Sequence, residues 1–152
     1  MNNYIKTMRE KVGHDMLIMV GAGVFVYKDG KVLLQKRKDN GSWAQHGGAM
    51  EIGETLEDAA RRELKEETGL TAGNLEFLGV FSGKELLYTY PNGDKVCMVV
   101  ASYVCQDYSG DLLLETDETS ELKWFDINKI PENISPPDKM CFEAFLYWCK
   151  TV

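Results

Sequence analysis

No apolar run in this 152-residue sequence reaches the ~18 residues that a membrane-spanning helix needs. The opening residues, MNNYIKTMREKVGHD, lack the apolar core of a secretory signal, which predicts a cytosolic protein. Positive charge is also short. The formal net charge is −7 and the sequence pI is near 4.9. Such a chain has no surplus of cations to replace the counterions of a nucleic-acid backbone, which argues against that class of partner. A small phosphorylated ligand remains open, provided divalent metal supplies the positive charge. Cysteines never fall at CxxC spacing. Cys97, Cys105, Cys141 and Cys149 sit in apolar stretches and read as buried free thiols rather than metal ligands or disulfides. Internal repeats, low-complexity tracts and long linkers are absent as well.

What is present fits one ordinary domain over residues 1–152, with residues 1–15 as a helical extension. Hydrophobic residues make up 44% and charged residues 27%, the usual balance for a chain able to bury a core. Ile5, Met8 and Val12 fall at helical spacing. Leu17–Tyr27 is β-rich, Lys28-Asp29-Gly30 is a turn, and Lys31–Arg37 reads as the returning strand. Trp43–Met50 predicts a short strand entering a loop. Further β-like runs cover Leu75–Ser82, Glu85–Tyr90 and Lys95–Cys105, with the turn Pro91-Asn92-Gly93-Asp94 between the last two. Leu122–Asp126 predicts one more strand. Pro136 and Pro137 suit the start of a last helix with Phe142, Phe145, Leu146 and Cys149 on its apolar stripe. Hairpins dominate, so a mixed sheet with helices against it is expected, an α/β domain.

Between these runs lies Thr55–Thr68, bounded by a capping signal at Thr55 and Asp58 and by Gly69 as a left-handed stop. At roughly 100° per residue, Leu56, Ala59, Ala60 and Leu64 form the inward face. Glu57, Asp58, Arg61 and Lys65 face the other way. Glu63 and Glu67 fall on the apolar stripe, and Glu66 lies at its edge. Carboxylates gathered on an inward face repel one another and lose hydration. A hard divalent cation relieves both problems. An exposed acidic face salt-bridged to Arg61, Arg62 and Lys65 is the alternative.

The segment GAMEIGETLEDAARRELKEETGL, Gly48–Leu70, is similar to the signature of the Nudix (MutT-like) hydrolases at every defined position. These are Gly48, Glu54, Arg62, Glu63, Leu64, Glu66, Glu67, Gly69 and Leu70. Matches at this many fixed spacings are far more specific than a lone glycine motif. The resemblance covers most of the chain beyond the first ~15 residues and implies a Nudix-type α/β/α sandwich with a mixed sheet. It implies magnesium- or manganese-dependent hydrolysis of a nucleoside diphosphate linked to a second group, X. Glu63, Glu66 and Glu67 would bind the metal, with the backbone carbonyl of Gly47 as a further ligand. Glu54 and Arg62 would form a supporting ion pair. The general base would be Glu63 or a carboxylate in Glu115–Glu121, with Glu118 the first candidate there and Glu121 the second. Many relatives carry Leu-Pro before the paired glycines; here Gln45-His46 stands in that place. His46 is expected to loosen a turn rather than to act in catalysis, and His14 to lie at the surface or core edge.

Substrate identity is not written in the signature. Arg37, Lys36 and Lys84 are candidate phosphate contacts. Tyr4, Trp43, Phe81, Tyr88 and Tyr90 could stack on a base, with core packing as the default. The expected partner is a small nucleotide-type molecule of the ADP-ribose or nucleotide-sugar kind. A nucleoside triphosphate pyrophosphatase is the alternative. A non-catalytic binding module would be expected to have lost carboxylates from the signature, and none is missing. Homodimers are common among such relatives, and the N-terminal helix is a candidate interface.

Overall fold

The computed structural model describes residues 3–152. Helix α1 (Asn3–Val12) leads into strands β1 (Leu17–Lys28), β2 (Lys31–Arg37), β3 (Trp43–Ala44) and β4 (His46–Ala49), then helix α2 (Leu56–Thr68). Strands β5 (Thr71–Ala72), β6 (Leu75–Phe81), β7 (Leu87–Thr89), β8 (Lys95–Cys105), β9 (Tyr108–Ser109) and β10 (Thr119–Asp126) follow, and α3 (Lys139–Thr151) comes last. The principal sheet runs β10-β2-β1-β8-β6, with β3, β4 and β7 attached to β2, β1 and β8. β1 and β8 pair in parallel, and the other pairings are antiparallel. The sheet is therefore mixed, as hairpin-rich patterning predicted.

Helices cover the sheet on both faces. Gly21–Val26 of β1 is buried without alternation, as expected of a central strand sandwiched between helices. Val24, Val26 and Leu33 pack with Ala59, Ala60 and Leu64 of α2. Phe25, Val32 and Leu34 point the other way, onto Cys141, Phe142 and Phe145 of α3. Alternation along β1 and β2 thus serves two cores at once. Each fully buried Leu or Phe contributes about 1.5–3 kcal/mol.

Local signals account for most boundaries. Thr55 caps α2, its Oγ1 accepting from the Asp58 N–H at 3.1 Å, so the helix proper begins at Leu56 rather than at Thr55. Gly69 ends α2 at φ 84°, where a side chain would be strained. Three expectations are corrected. Glu85–Tyr90 is not one strand: Lys84–Leu86 forms a 3-10 turn that buries Leu86, and only Leu87–Thr89 pairs with β8. The predicted short strand at Trp43–Met50 divides into β3 and β4, which pair with β2 and β1 respectively. The cysteines are all free, but only Cys105 and Cys141 are buried; Cys97 and Cys149 are half-buried. A small second sheet, β5 with β9, escaped the sequence pattern because two-residue strands carry no periodicity.

Candidate active site

The segment from β4 through α2 brings the charged residues together. β4 pairs with the middle of β1, aligning Gly21 with Ala49 and Gly23 with Gly47. Glycine is needed at this seam because backbones approach closely: a Cβ on Gly47 would lie 2.4 Å from the Ala22 carbonyl oxygen. A Cβ on Gly48 would lie 2.6 Å from the Glu63 carboxyl. The paired glycines therefore leave room beside the helix for a carboxylate and what it binds.

Glu63 and Glu67 are 8% and 6% exposed, one turn apart on the inner face of α2. Glu66 stays exposed at the edge. Desolvation raises the Glu63 carboxyl above the usual range; the Arg62 guanidinium opposes this, and the charges of Glu66 and Glu118 add to it. Desolvation and then the charge of Glu63 raise Glu67 well above its ordinary value. The Gln35 amide and the Gly47 N–H oppose that rise, and Glu118 adds to it. Burying like charges together is unfavourable unless protons or a cation intervene.

Arg62 organises the approach to this cluster. Its Nε and Nη2 donate to the two Glu54 oxygens at 2.7 and 2.9 Å. Nη1 donates to Glu63 at 2.9 Å and reaches Glu66 at 3.5 Å, and Nη2 also meets the Ala49 carbonyl at 3.1 Å. The bidentate pairing holds the Glu54 carboxyl below its ordinary value. Among the described residues no three His, Cys, Asp or Glu side chains already converge at ligand spacing. Arg62 engages Glu63, while the Gln35 Nε2–H (2.6 Å) and the Gly47 N–H (2.7 Å) engage Glu67. The donor set nevertheless suits a hard divalent cation: clustered carboxylate oxygens, desolvated, beside a glycine cradle.

Outside the helix the candidates separate. Glu118 lies just before β10, and its charge is felt by both buried carboxylates. Glu121 lies within β10 opposite Lys36. Arg37 lines a solvent-open cleft together with Tyr90, Gln45, Gly47, Gly48 and Asp138. Asp39 grips Arg37 through two hydrogen bonds of 2.9 and 2.7 Å, and the guanidinium sits 5.9 Å from the Tyr90 ring centre. Trp43 lies apart from that lining; its ring meets Phe125 edge-on at 4.8 Å. Lys84 is exposed at the start of the 3-10 turn, and Lys36 is half-buried. Of the remaining aromatics, Phe81 packs in the core, Tyr88 meets Tyr90 edge-on, and Tyr4 is exposed on α1.

His46 is fully buried, with Nε2 at 2.9 Å from the Leu33 carbonyl. Desolvation pushes its pKa down to about 4, so it is neutral at pH 7. His14 lies at the surface, 2.7 Å from Asp94.

Two polar residues were missed by the sequence reasoning. Gln35 joins three elements: besides Glu67, its Nε2 donates to the Gln45 carbonyl at 3.0 Å, and its Oε1 accepts from Thr119 Oγ1. A glutamine inside the apolar run VLLQ was the available signal. Asp138, next to the Pro136-Pro137 helix start, carries no local signal of a site role. It lines the cleft, accepts from the Gln45 N–H at 3.2 Å, and desolvation pushes its carboxyl up to about 6.

Residues 17–145 match the NUDIX domain family model. The chain belongs to the Nudix hydrolase family. It is 39% identical over 126 residues to the ADP-ribose pyrophosphatase of Methanocaldococcus jannaschii, covering 81% of this chain and 70% of that protein. It is 38% identical over 113 residues to the oxidized purine nucleoside triphosphate hydrolase of Danio rerio, covering 71% of this chain and 66% of that one. The crystal structure of a MutT NUDIX hydrolase from Burkholderia pseudomallei superposes with a TM-score of 0.72 at 28% identity, covering 84% of this chain and 98% of that one. The α/β sandwich with its mixed sheet is thus the Nudix fold. No helix among the described residues is long and apolar enough to cross a membrane.

Proposed function

We propose that this Nudix hydrolase cleaves the phosphoanhydride of a nucleoside diphosphate linked to X, of the ADP-ribose or nucleotide-sugar type. One observation carries the reading: two buried carboxylates, Glu63 and Glu67, stand beside Gly47 and Gly48, which line the cleft. Glu63, Glu66, Glu67 and the Gly47 carbonyl would hold Mg²⁺ or Mn²⁺. When bound, the metal neutralises phosphate charge and makes a water more acidic. Water adds to one phosphorus, the bridging P–O bond breaks, and a nucleoside monophosphate and phosphorylated X leave. The water's proton goes to a carboxylate, Glu63 or Glu118. Glu54 and Arg62 keep the loop against the helix. The nucleoside side of the substrate enters the cleft, where Arg37 meets phosphate and Tyr90 offers a ring face. Trp43 and Lys84 have weaker claims to substrate contact, since neither lines the cleft.

A second reading, nucleoside triphosphate pyrophosphatase, draws support from the likeness to the zebrafish triphosphate hydrolase. The deciding experiment is a panel of ADP-ribose, nucleotide sugars, dinucleoside polyphosphates and nucleoside triphosphates, read by product identification. Nucleoside monophosphate plus phosphorylated X from ADP-ribose or a nucleotide sugar supports the first reading. Turnover confined to triphosphates, with release of pyrophosphate, contradicts it. Activity is expected to vanish with a chelator and to return with Mg²⁺ or Mn²⁺.

A further inference from the structure

Helix α1 lies wholly before the residues matched to the family model, 17–145, yet both of its ends dock beside the site. At its start, the Tyr4 N–H donates to Glu51 Oε1 at 3.1 Å. First-turn N–H groups have no partner inside their own helix, so a carboxylate there satisfies a donor and meets the positive end of the helix dipole. At its end, Arg9 donates to the carbonyls of Gly13 at 3.0 Å, Asp15 at 2.7 Å and Lys95 at 2.8 Å. Arg9 also faces Asp94 at 3.6 Å. Asp94 belongs to the β7–β8 turn, whose backbone bonds to Tyr90 of the cleft at 2.8 Å.

Glu51 sits between Gly48 and Glu54 in the loop that precedes α2. Its N–H donates to Glu54 Oε1 at 3.0 Å, and its carbonyl accepts from the Glu54 N–H at 3.1 Å. Gly53 closes that turn at φ 82°. The same Glu54 oxygen receives Arg62 Nη2, and Arg62 in turn touches Glu63. A continuous chain of polar contacts therefore runs from the first turn of α1 to a helix carboxylate. Glu51 Oε2 is buried without a hydrogen-bond partner, so the single bond from Tyr4 is the anchor of that side chain among the described residues.

We propose that α1 is a strut of the active site and that Glu51 is the positioning residue through which it steadies Glu54 and Arg62. The inference rests on the hydrolase function proposed above. It concerns a backbone donor, and proline removes that donor: the first turn of a helix tolerates Pro, which has no N–H. Tyr4→Pro deletes the bond to Glu51, whereas Tyr4→Ala keeps it and removes only the exposed ring.

Full-length variants are compared for kcat, for KM, and for Mn²⁺ affinity measured without substrate by electron paramagnetic resonance. Tyr4→Pro is expected to lower kcat and Mn²⁺ affinity about three- to tenfold, within the range of one ordinary hydrogen bond at an exposed position, with KM for substrate little changed. Tyr4→Ala is expected to stay within about twofold of wild type. Glu51→Ala should match Tyr4→Pro, Glu51→Gln should retain most function because it keeps an acceptor, and the Tyr4→Pro/Glu51→Ala double variant should be no worse than Glu51→Ala. Equal behaviour of Tyr4→Pro and Tyr4→Ala, with wild type binding Mn²⁺ normally, overturns the strut alone. Additive losses in the double variant overturn the Glu51 linkage. Wild-type protein that binds no Mn²⁺ overturns the strut and the hydrolase function together.

Discussion

Helices α2 and α3 are both thirteen residues long and cover opposite faces of one sheet, but they bury different chemistry. α3 buries Cys141, Phe142 and Phe145, and Phe145 stacks on Phe25 with ring centres 4.5 Å apart. α2 buries small residues, Ala59 and Ala60, with Leu64, and beside them Glu63, Glu67 and Thr68. The α3 face is what a stabilising helix looks like. The α2 face is poorer in apolar area and carries charge whose burial opposes folding. Such a face makes physical sense if the helix holds something that the charge attracts.

That contrast can be broken from either side. On the α2 side, Glu66→Gln or Glu67→Gln should lower turnover by orders of magnitude, because each loses a proposed metal oxygen; near-normal turnover in either variant removes the metal assignment. On the α3 side, Phe145→Ala should cost about 3–5 kcal/mol of stability by denaturant unfolding, since it leaves a large cavity. The Mg²⁺ dependence of the protein that still folds should be unchanged. Arg62→Lys tests the support between them. Lysine keeps the charge but cannot make the two-pronged bond to Glu54, so a loss of about tenfold in Mn²⁺ affinity is expected, and a variant equal to wild type would remove Arg62 from the supporting role.

The smallest effect concerns the cleft. The Asp138 carboxyl titrates near 6 when folded against about 3.8 when unfolded. The folded state therefore binds more protons in that window, and this group lowers stability as pH rises from about 4 to about 6. Asp138→Asn removes the titration. The melting temperature of the variant relative to wild type should rise between pH 4.5 and pH 7, and a difference that is flat across that range contradicts the desolvation of Asp138.

Legibility in the sequence followed the range of the interaction. β2 and β8 carry strong β-forming runs bounded by turns, and their ends fall where the sequence pattern put them. Thr55 and Gly69 mark the ends of α2 through local backbone chemistry. The break at Lys84–Leu86 was not legible, because Leu86 turns inward to a core assembled with Val96 and Met98. Within the site, helical spacing alone separated buried Glu63 and Glu67 from exposed Glu57 and Asp58. Gln35 and Asp138 were hidden for the opposite reason. Their partners lie 32 and 93 residues away in the chain, and no local period encodes such pairings.

The central claim is that buried charge on α2 is kept for a divalent cation. Thermal melting in chelator and in saturating Mg²⁺, for wild type and Glu67→Gln, tests it most directly. A ligand that binds only the folded state raises its stability by RT ln(1 + [L]/Kd). Mg²⁺ should raise the melting temperature of the wild type, and Glu67→Gln should lose most of that rise. An equal rise in both proteins, or none in the wild type, would contradict the account.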